Sequence, residues 1–180
     1  AQTRALTNAQ LKALSTAQLA AMELEDFDAL TTAQLPAFLT SQIGLLSDER
    51  LASLATDQIR SLTADQIKAL NTGQMQSLST TQIAGLTVTQ IRALTSSQVA
   101  TLDASDLSGM TTAQLTAFSV SQIKAISADQ ISGLETASLR QLAATQIAAL
   151  TTQQIGNLSD DQLLGLSTQQ VAALGTGQIR

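Results

Sequence analysis

The chain has 180 residues, a formal charge of -5, and no His, Cys, Trp or Tyr; its only aromatics are Phe27, Phe38 and Phe118, and Pro36 is its single proline. Without His or Cys it lacks the usual zinc ligands, a thiol nucleophile and the one side chain that titrates near neutrality in its unperturbed state. Nine basic residues against fourteen acids argue against binding nucleic acid or an anionic membrane through a basic patch, and no apolar run approaches the roughly 18 residues of a membrane span.

From one end to the other the sequence repeats with a period of eight and without insertion or deletion. Written with the hydroxyl residue first, the unit is [ST]-x-x-Q-[IL]-x-[AGS]-L, as in Thr63 to Leu70. Position eight, from Leu6 to Leu174, holds 17 Leu, two Met, two Phe and one Ile in 22 occurrences. Position five is apolar except at Thr3, and position four is Gln in 19 of 23 cases, the exceptions being Asp26, Arg50, Asp106 and Ser138.

The period selects the local structure. The apolar positions are separated by three and then five residues, so in a strand they fall on opposite faces. In one continuous helix each octad turns the apolar pair by about 80°, and the stripe circles the helix. One short helix per octad, broken at every boundary, satisfies both constraints. Ser or Thr at position one and Gln at position four form a capping box, and the apolar residues at position eight of one octad and position five of the next are the two members of a hydrophobic staple. Charge agrees. Thirteen of fourteen acids lie at positions one to four, Asp28 being the exception; eight basic residues (Arg4, Lys12, Arg60, Lys68, Arg92, Lys124, Arg140 and Arg180) lie at position six, and only Arg50 does not. Acids thus sit at helix starts and bases towards helix ends.

In chain order, the first departure is the octad from Glu23 to Leu30, which puts acids at both capping positions. Its Glu23, Glu25, Asp26 and Asp28 lack the loop pattern and glycine turn of an EF-hand, so they are read as an acidic helix start. The next octad, Thr31 to Phe38, carries Pro36 at position six, where it removes a helical donor; a local defect is expected. Asp103 to Met110 repeats the acidic exchange, again followed by a Thr-Thr-Ala-Gln-Leu-x-Ala-Phe octad, 80 residues later.

A single octad buries too little to order itself, so octads must pack on one another. Position seven is Ala, Ser or Gly in 18 of 22 octads, which lets successive coils approach. The fold expected is all-α: a solenoid of very short helices, one per octad. Helix axes about 8–10 Å apart and a six-residue helix about 9 Å long give three to four octads per coil. Residues 1–180 read as one continuous array of about 22 octads, entering at position three and leaving at position six without atypical terminal repeats, as an excerpt of a longer array or a unit that stacks on copies of itself.

No catalytic, cofactor-binding or metal-ligating residue is assigned, and no cofactor is expected. The hydroxyls are plentiful, but no base is placed to activate them, and helix capping accounts for them. The function expected is therefore a structural scaffold, a spacer or fibre, with a binding solenoid presenting Thr, Ser and Gln to protein, glycan or mineral as the alternative. Self-association is the one partner suggested; nucleic acid and membrane insertion are not. The runs Leu62 to Leu70, Leu86 to Leu94 and Leu150 to Leu158 resemble octapeptide repeat regions in very large secreted or surface proteins of proteobacteria, often described as adhesins or RTX-like proteins. The resemblance spans all octads and implies an extracellular or cell-surface stalk. It fixes no binding residue, and the calcium-binding nonapeptides of RTX repeats are absent.

Overall fold

The computed structural model describes residues 3–179; Arg180, assigned above to position six, lies outside the described residues. Among these residues are twenty α-helices of four to six residues and two 3-10 turns, Thr3–Ala5 and Leu35–Ala37, with one helical segment in each octad. The all-helical fold with one short helix per repeat is the one the period demands.

Most helices start as the capping box prescribes; Leu24–Asp28, Asp48–Ser53 and Thr136–Gln141 lack the box. At Thr63 the cap residue is extended (φ -70°, ψ 159°), its hydroxyl accepts from the Gln66 amide, and Gln66 Oε1 accepts from the Thr63 amide at 2.7 Å. The helix ends equally regularly. The position-eight amide bonds back three residues to position five, as in Leu62 to the Ile59 carbonyl at 3.2 Å, and its own backbone is extended, φ -58° and ψ 145° at Leu62. Two successive extended residues, at positions eight and one, make the corner. No described residue has a positive φ, so the corner needs none of the left-handed glycines that end many helices.

Packing of Cα atoms divides the chain into two units, Ala1–Ala93 and Leu94–Arg180. In the first unit, helices three octads apart lie against each other: Asp48–Ser53 on Thr72–Ser77, and Ala64–Lys68 on Val88–Ala93. The second unit repeats the arrangement with Ala128–Ser132 on Thr152–Gly156 and Ala144–Ala148 on Thr168–Ala173. In both, the core is positions five and eight: Leu51, Ile59, Ile67 and Ile83, and then Ile131, Leu139 and Ile147, are fully buried, each backed by a position-eight residue such as Leu54 or Leu134.

Small residues at position seven sit directly against the octad three repeats earlier. A Cβ built on Gly85 falls 2.2 Å from Thr56 Cγ2, one on Gly133 2.6 Å from Ala104 Cβ, and one on Gly165 2.0 Å from Thr136 Cγ2. Each contact joins position seven to position two of the octad three repeats earlier.

Pro36 can be judged against an internal control. The octads Thr31 to Phe38 and Thr111 to Phe118 differ only in Pro36 against Thr116. Thr116 donates its amide to the Thr112 carbonyl at 2.9 Å and its octad carries the α-helix Thr112–Leu115. Proline has no such donor, and its octad has the 3-10 turn Leu35–Ala37 in place of the α-helix. The cap survives, with the Thr31 amide 2.9 Å from Gln34 Oε1, and Leu35 and Phe38 stay buried. The proline is a local defect and leaves the octad's place in the coil intact.

The contact at position seven yields a double-mutant test. Gly85→Ala is expected to cost about 1–3 kcal/mol by overpacking, and Thr56→Ala in the same chain to recover most of that loss. Urea unfolding of the two single variants and the double variant measures the coupling.

Candidate functional site

The most recurrent polar residue is also the most buried one. Gln66, Gln74, Gln82 and Gln90 in the first unit, and Gln146, Gln154 and Gln170 in the second, are at most 4% exposed. A capping box alone explains only one atom of each amide, the Oε1 that accepts from the backbone at position one. The Nε2 points the other way. Gln74 Nε2 donates to the Ile43 carbonyl at 3.2 Å and the Leu46 carbonyl at 2.7 Å. Gln66 reaches Leu35 and Phe38 at 3.0 and 2.8 Å, Gln82 reaches Leu51 and Leu54 at 3.1 and 2.6 Å, and Gln146 reaches Leu115 and Phe118, both at 3.0 Å.

For these glutamines the acceptors are the carbonyls 31 and 28 residues earlier, at positions five and eight of the octad four repeats back; Gln58 and Gln162 keep the second and take the carbonyl 30 residues earlier as the first. The position-five carbonyl already accepts the position-eight amide of its own octad, as Ile43 does from Leu46 at 3.1 Å, and takes the glutamine as a second donor; the position-eight carbonyl lies past the end of the helix, beyond its hydrogen-bond ladder. One primary amide, with one acceptor oxygen and two N–H donors, therefore closes the start of its own helix and the end of a helix in the coil below. Helix bodies pack three octads apart and the amides reach four octads back, so one coil takes between three and four octads.

Capping accounts for only half of the glutamine amide, and the other half leaves a trace in the sequence. A capping box accepts Glu as readily as Gln, and acids are favoured near a helix start, yet no Glu occupies position four in 23 occurrences. The only acids at position four are Asp26 and Asp106, and the amide that dominates there adds the donors a carboxylate lacks. Arg50 supports this: its guanidinium donates to the Ala20 carbonyl at 2.8 Å and the Met22 carbonyl at 2.5 Å, so it keeps the link between coils and gives up the cap. The converse also occurs. Leu39, Ala55 and Ala143 have no capping hydroxyl, but their amides still bond Gln42, Gln58 and Gln146 at 2.7, 2.7 and 2.8 Å. At Ala55 the hydroxyl's place is filled by Asp57 Oδ1, which accepts from the Gln58 amide at 3.0 Å.

The two acid-for-cap octads differ. Asp103 and Asp106 form a capping box in carboxylate form, the Asp106 amide donating to Asp103 Oδ1 at 2.7 Å and the Asp103 amide to Asp106 Oδ2 at 3.1 Å. Glu23 makes no side-chain cap. Asp26 accepts from the Thr3 hydroxyl at 2.9 Å, a bond that holds its carboxyl below the usual carboxylate range. Among the described residues no three His, Cys, Asp or Glu side chains come together as a metal site, and no helix is long and apolar enough to cross a membrane. No buried side-chain nitrogen or oxygen of these residues lacks a hydrogen-bond partner. Positions two, three and six are exposed or half-buried throughout; these are the positions where residue type varies most freely.

The ALTTAQ repeat matches the chain five times in tandem, at residues 19–56, 50–80, 72–104, 99–136 and 131–168. The chain belongs to the ALTTAQ repeat family. The six letters stand unaltered at Ala29 to Gln34, and they run from the small residue and Leu that close one octad to the Gln of the next, which is the corner and its amide. ALTTAQ describes a sequence and carries no activity with it. Among curated proteins none matches the chain.

The role of the ALTTAQ glutamine can be separated into its two halves. Gln74→Glu keeps the acceptor for the Asn71 amide but sets a buried carboxylate against two carbonyl oxygens. Burial and those dipoles raise its folded-state pKa above the unfolded value of about 4.3. Its contribution is therefore present below that unfolded value, where the acid form donates one bond, and is lost as pH rises through the folded value. At pH 7 the variant is expected to lose about 3 kcal/mol or more and to recover part of it, relative to wild type, at pH 4. Gln18→Glu, on an exposed amide, should do neither. Urea unfolding at the two pH values provides the comparison.

Proposed function

We propose that this ALTTAQ array is a structural repeat scaffold with no catalytic activity, a stalk, spacer or fibre-forming segment of a bacterial surface protein that works outside the cell. One observation carries the reading: every residue type that recurs is consumed by architecture. Leu and Ile fill the core, Ser and Thr cap, Gln links the coils, and small residues at position seven let the coils close. What faces solvent is what varies, including Lys, Ala, Asp, Gly, Arg, Gln, Ser, Thr and Leu at position six. Scaffolds need solubility from such positions and nothing more specific.

Burial of the position-four glutamines also weakens the alternative, a binding solenoid. A recognition surface of Thr, Ser and Gln loses its most regular member, since the amides of Gln66, Gln74 and their counterparts face the interior. The resemblance to secreted and surface proteins of proteobacteria supports the extracellular placement.

Two measurements test the reading. Antibody against the segment should label intact cells that make the protein; labelling only after permeabilisation contradicts it. Shuffling the residues at positions two, three and six among octads, with positions one, four, five, seven and eight kept, should leave the fold by circular dichroism and the surface display unchanged. Loss of a cell-binding phenotype on shuffling would favour the binding solenoid.

A further inference from the structure

In the first unit the links between coils are unbroken. Gln34 and Gln42 reach the Leu6 and Leu14 carbonyls at 3.0 and 2.8 Å, Arg50 reaches Met22, and Gln58, Gln66, Gln74, Gln82 and Gln90 continue the series octad by octad. The second unit interrupts it. Gln122 reaches Leu94 at 2.8 Å and the series resumes at Gln146, but the position-four residues of the two octads between them, Gln130 and Ser138, send no link.

The reach of 31 and 28 residues assigns Gln130 the carbonyls of Val99 and Leu102, and Ser138 those of Leu107 and Met110. Gln130 gives its Oε1 to the Ser127 amide, but among the described residues no acceptor meets its Nε2, and the side chain is half-buried. Ser138 has no amide to offer, and its octad, opened by Glu135, has no capping box either. No described side-chain donor reaches the four carbonyls. Polar contacts between neighbouring coils here lie at the surface instead, with the Ser96 hydroxyl donating to the Ser121 carbonyl at 3.5 Å and the Thr112 hydroxyl to Gln141 Oε1. The apolar core runs on across the seam: Leu102, Leu107 and Met110 on one side and Ile131, Leu134 and Leu139 on the other are at most 6% exposed. The carbonyls of Leu102 and Met110 thus belong to a buried layer without the donors that their counterparts receive elsewhere.

A buried carbonyl without a donor weakens the closed packing and regains water when the coils part. Helices of five or six residues do not hold alone, so parting of the coils also frees their backbone amides. We propose that the second unit opens first along this seam, where residues 127–142 lie on residues 95–110, while its amide-linked coils stay closed, a local opening of the kind that low-stability segments undergo. In a stalk or spacer the seam is the place that yields first under pull. That use rests on the scaffold reading; the opening itself is measured on the purified chain and fails separately from cell-surface labelling.

Hydrogen exchange of the wild-type chain, followed by NMR in urea below the unfolding transition, compares equivalent position-eight amides. Met110, which donates to Leu107 at 3.3 Å, and Leu102, which donates to Val99 at 3.2 Å, should exchange about tenfold or more faster than Leu54 in the first unit and Phe118 in the second, whose carbonyls meet Gln82 and Gln146. Ser138→Gln supplies an acceptor for the Glu135 amide and donors for the Leu107 and Met110 carbonyls, and should slow exchange at Met110 by about tenfold. Ser138→Glu supplies the acceptor alone and should not. The chain has no cysteine, so one introduced thiol gives a second reading. Leu107→Cys should react with a disulfide reagent about tenfold faster than Leu51→Cys, each replacing a Leu at most 1% exposed, and Ser138→Gln should remove most of that difference. Equal exchange at Met110, Leu102, Leu54 and Phe118 overturns the proposal without recourse to any variant. So does a folded Ser138→Gln chain in which exchange at Met110 is unchanged.

Discussion

In a helix of five or six residues almost every backbone group is an end group. The first four amides and the last four carbonyls of any helix have no partner within it, and here those two sets together account for nearly the whole segment. Burying such helices is affordable only if something else meets the orphaned groups. The position-four glutamine does so at both ends, with its oxygen on the amide at the start of its own helix and its nitrogen on carbonyls at the end of a helix four octads earlier. The corner geometry, the coil size and the small residue at position seven follow from placing this amide between stacked coils.

Dividing the work between the two ends of one side chain also explains which substitutions the array tolerates. Loss of the hydroxyl at Leu39, Ala55 or Ala143 costs one cap bond and leaves the amide in place. Arg50 forfeits the cap and keeps the link between coils. Pro36 removes one helical bond from an octad whose amide, Gln34, still reaches the Thr3 and Leu6 carbonyls at 3.1 and 3.0 Å. In each case a local defect is contained because neighbouring octads hold the position, as expected of a stack stabilised by nearest-neighbour interfaces.

Much of the fold was legible in the sequence. A period of eight that suits neither strand nor long helix, a hydroxyl three residues before Gln, and small residues at position seven led to one capped helix per octad and three to four octads per coil. The fate of the amide nitrogen was not read, because a capping box is a local motif and its partners lie 28 and 31 residues away. The near-uniform amide at position four, 19 Gln in 23 occurrences and no Glu, is the trace it leaves, since a local motif accepts Glu as readily and the amide adds two donors. The proline is legible as a defect, and the octad that differs only in Thr116 shows why. The function is less legible, since a sequence whose recurrent residues are all structural leaves little for chemistry to select.

The claim that the glutamine amides tie the coils together is tested most directly by solution NMR of their side-chain NH₂ groups. The account predicts slow hydrogen exchange and non-degenerate, downfield proton shifts for Gln66, Gln74, Gln82 and Gln90, whose two N–H groups each have a buried acceptor, and fast exchange for Gln10 and Gln18. Uniformly fast exchange of all six under conditions where the backbone amides of the same octads are protected would contradict it.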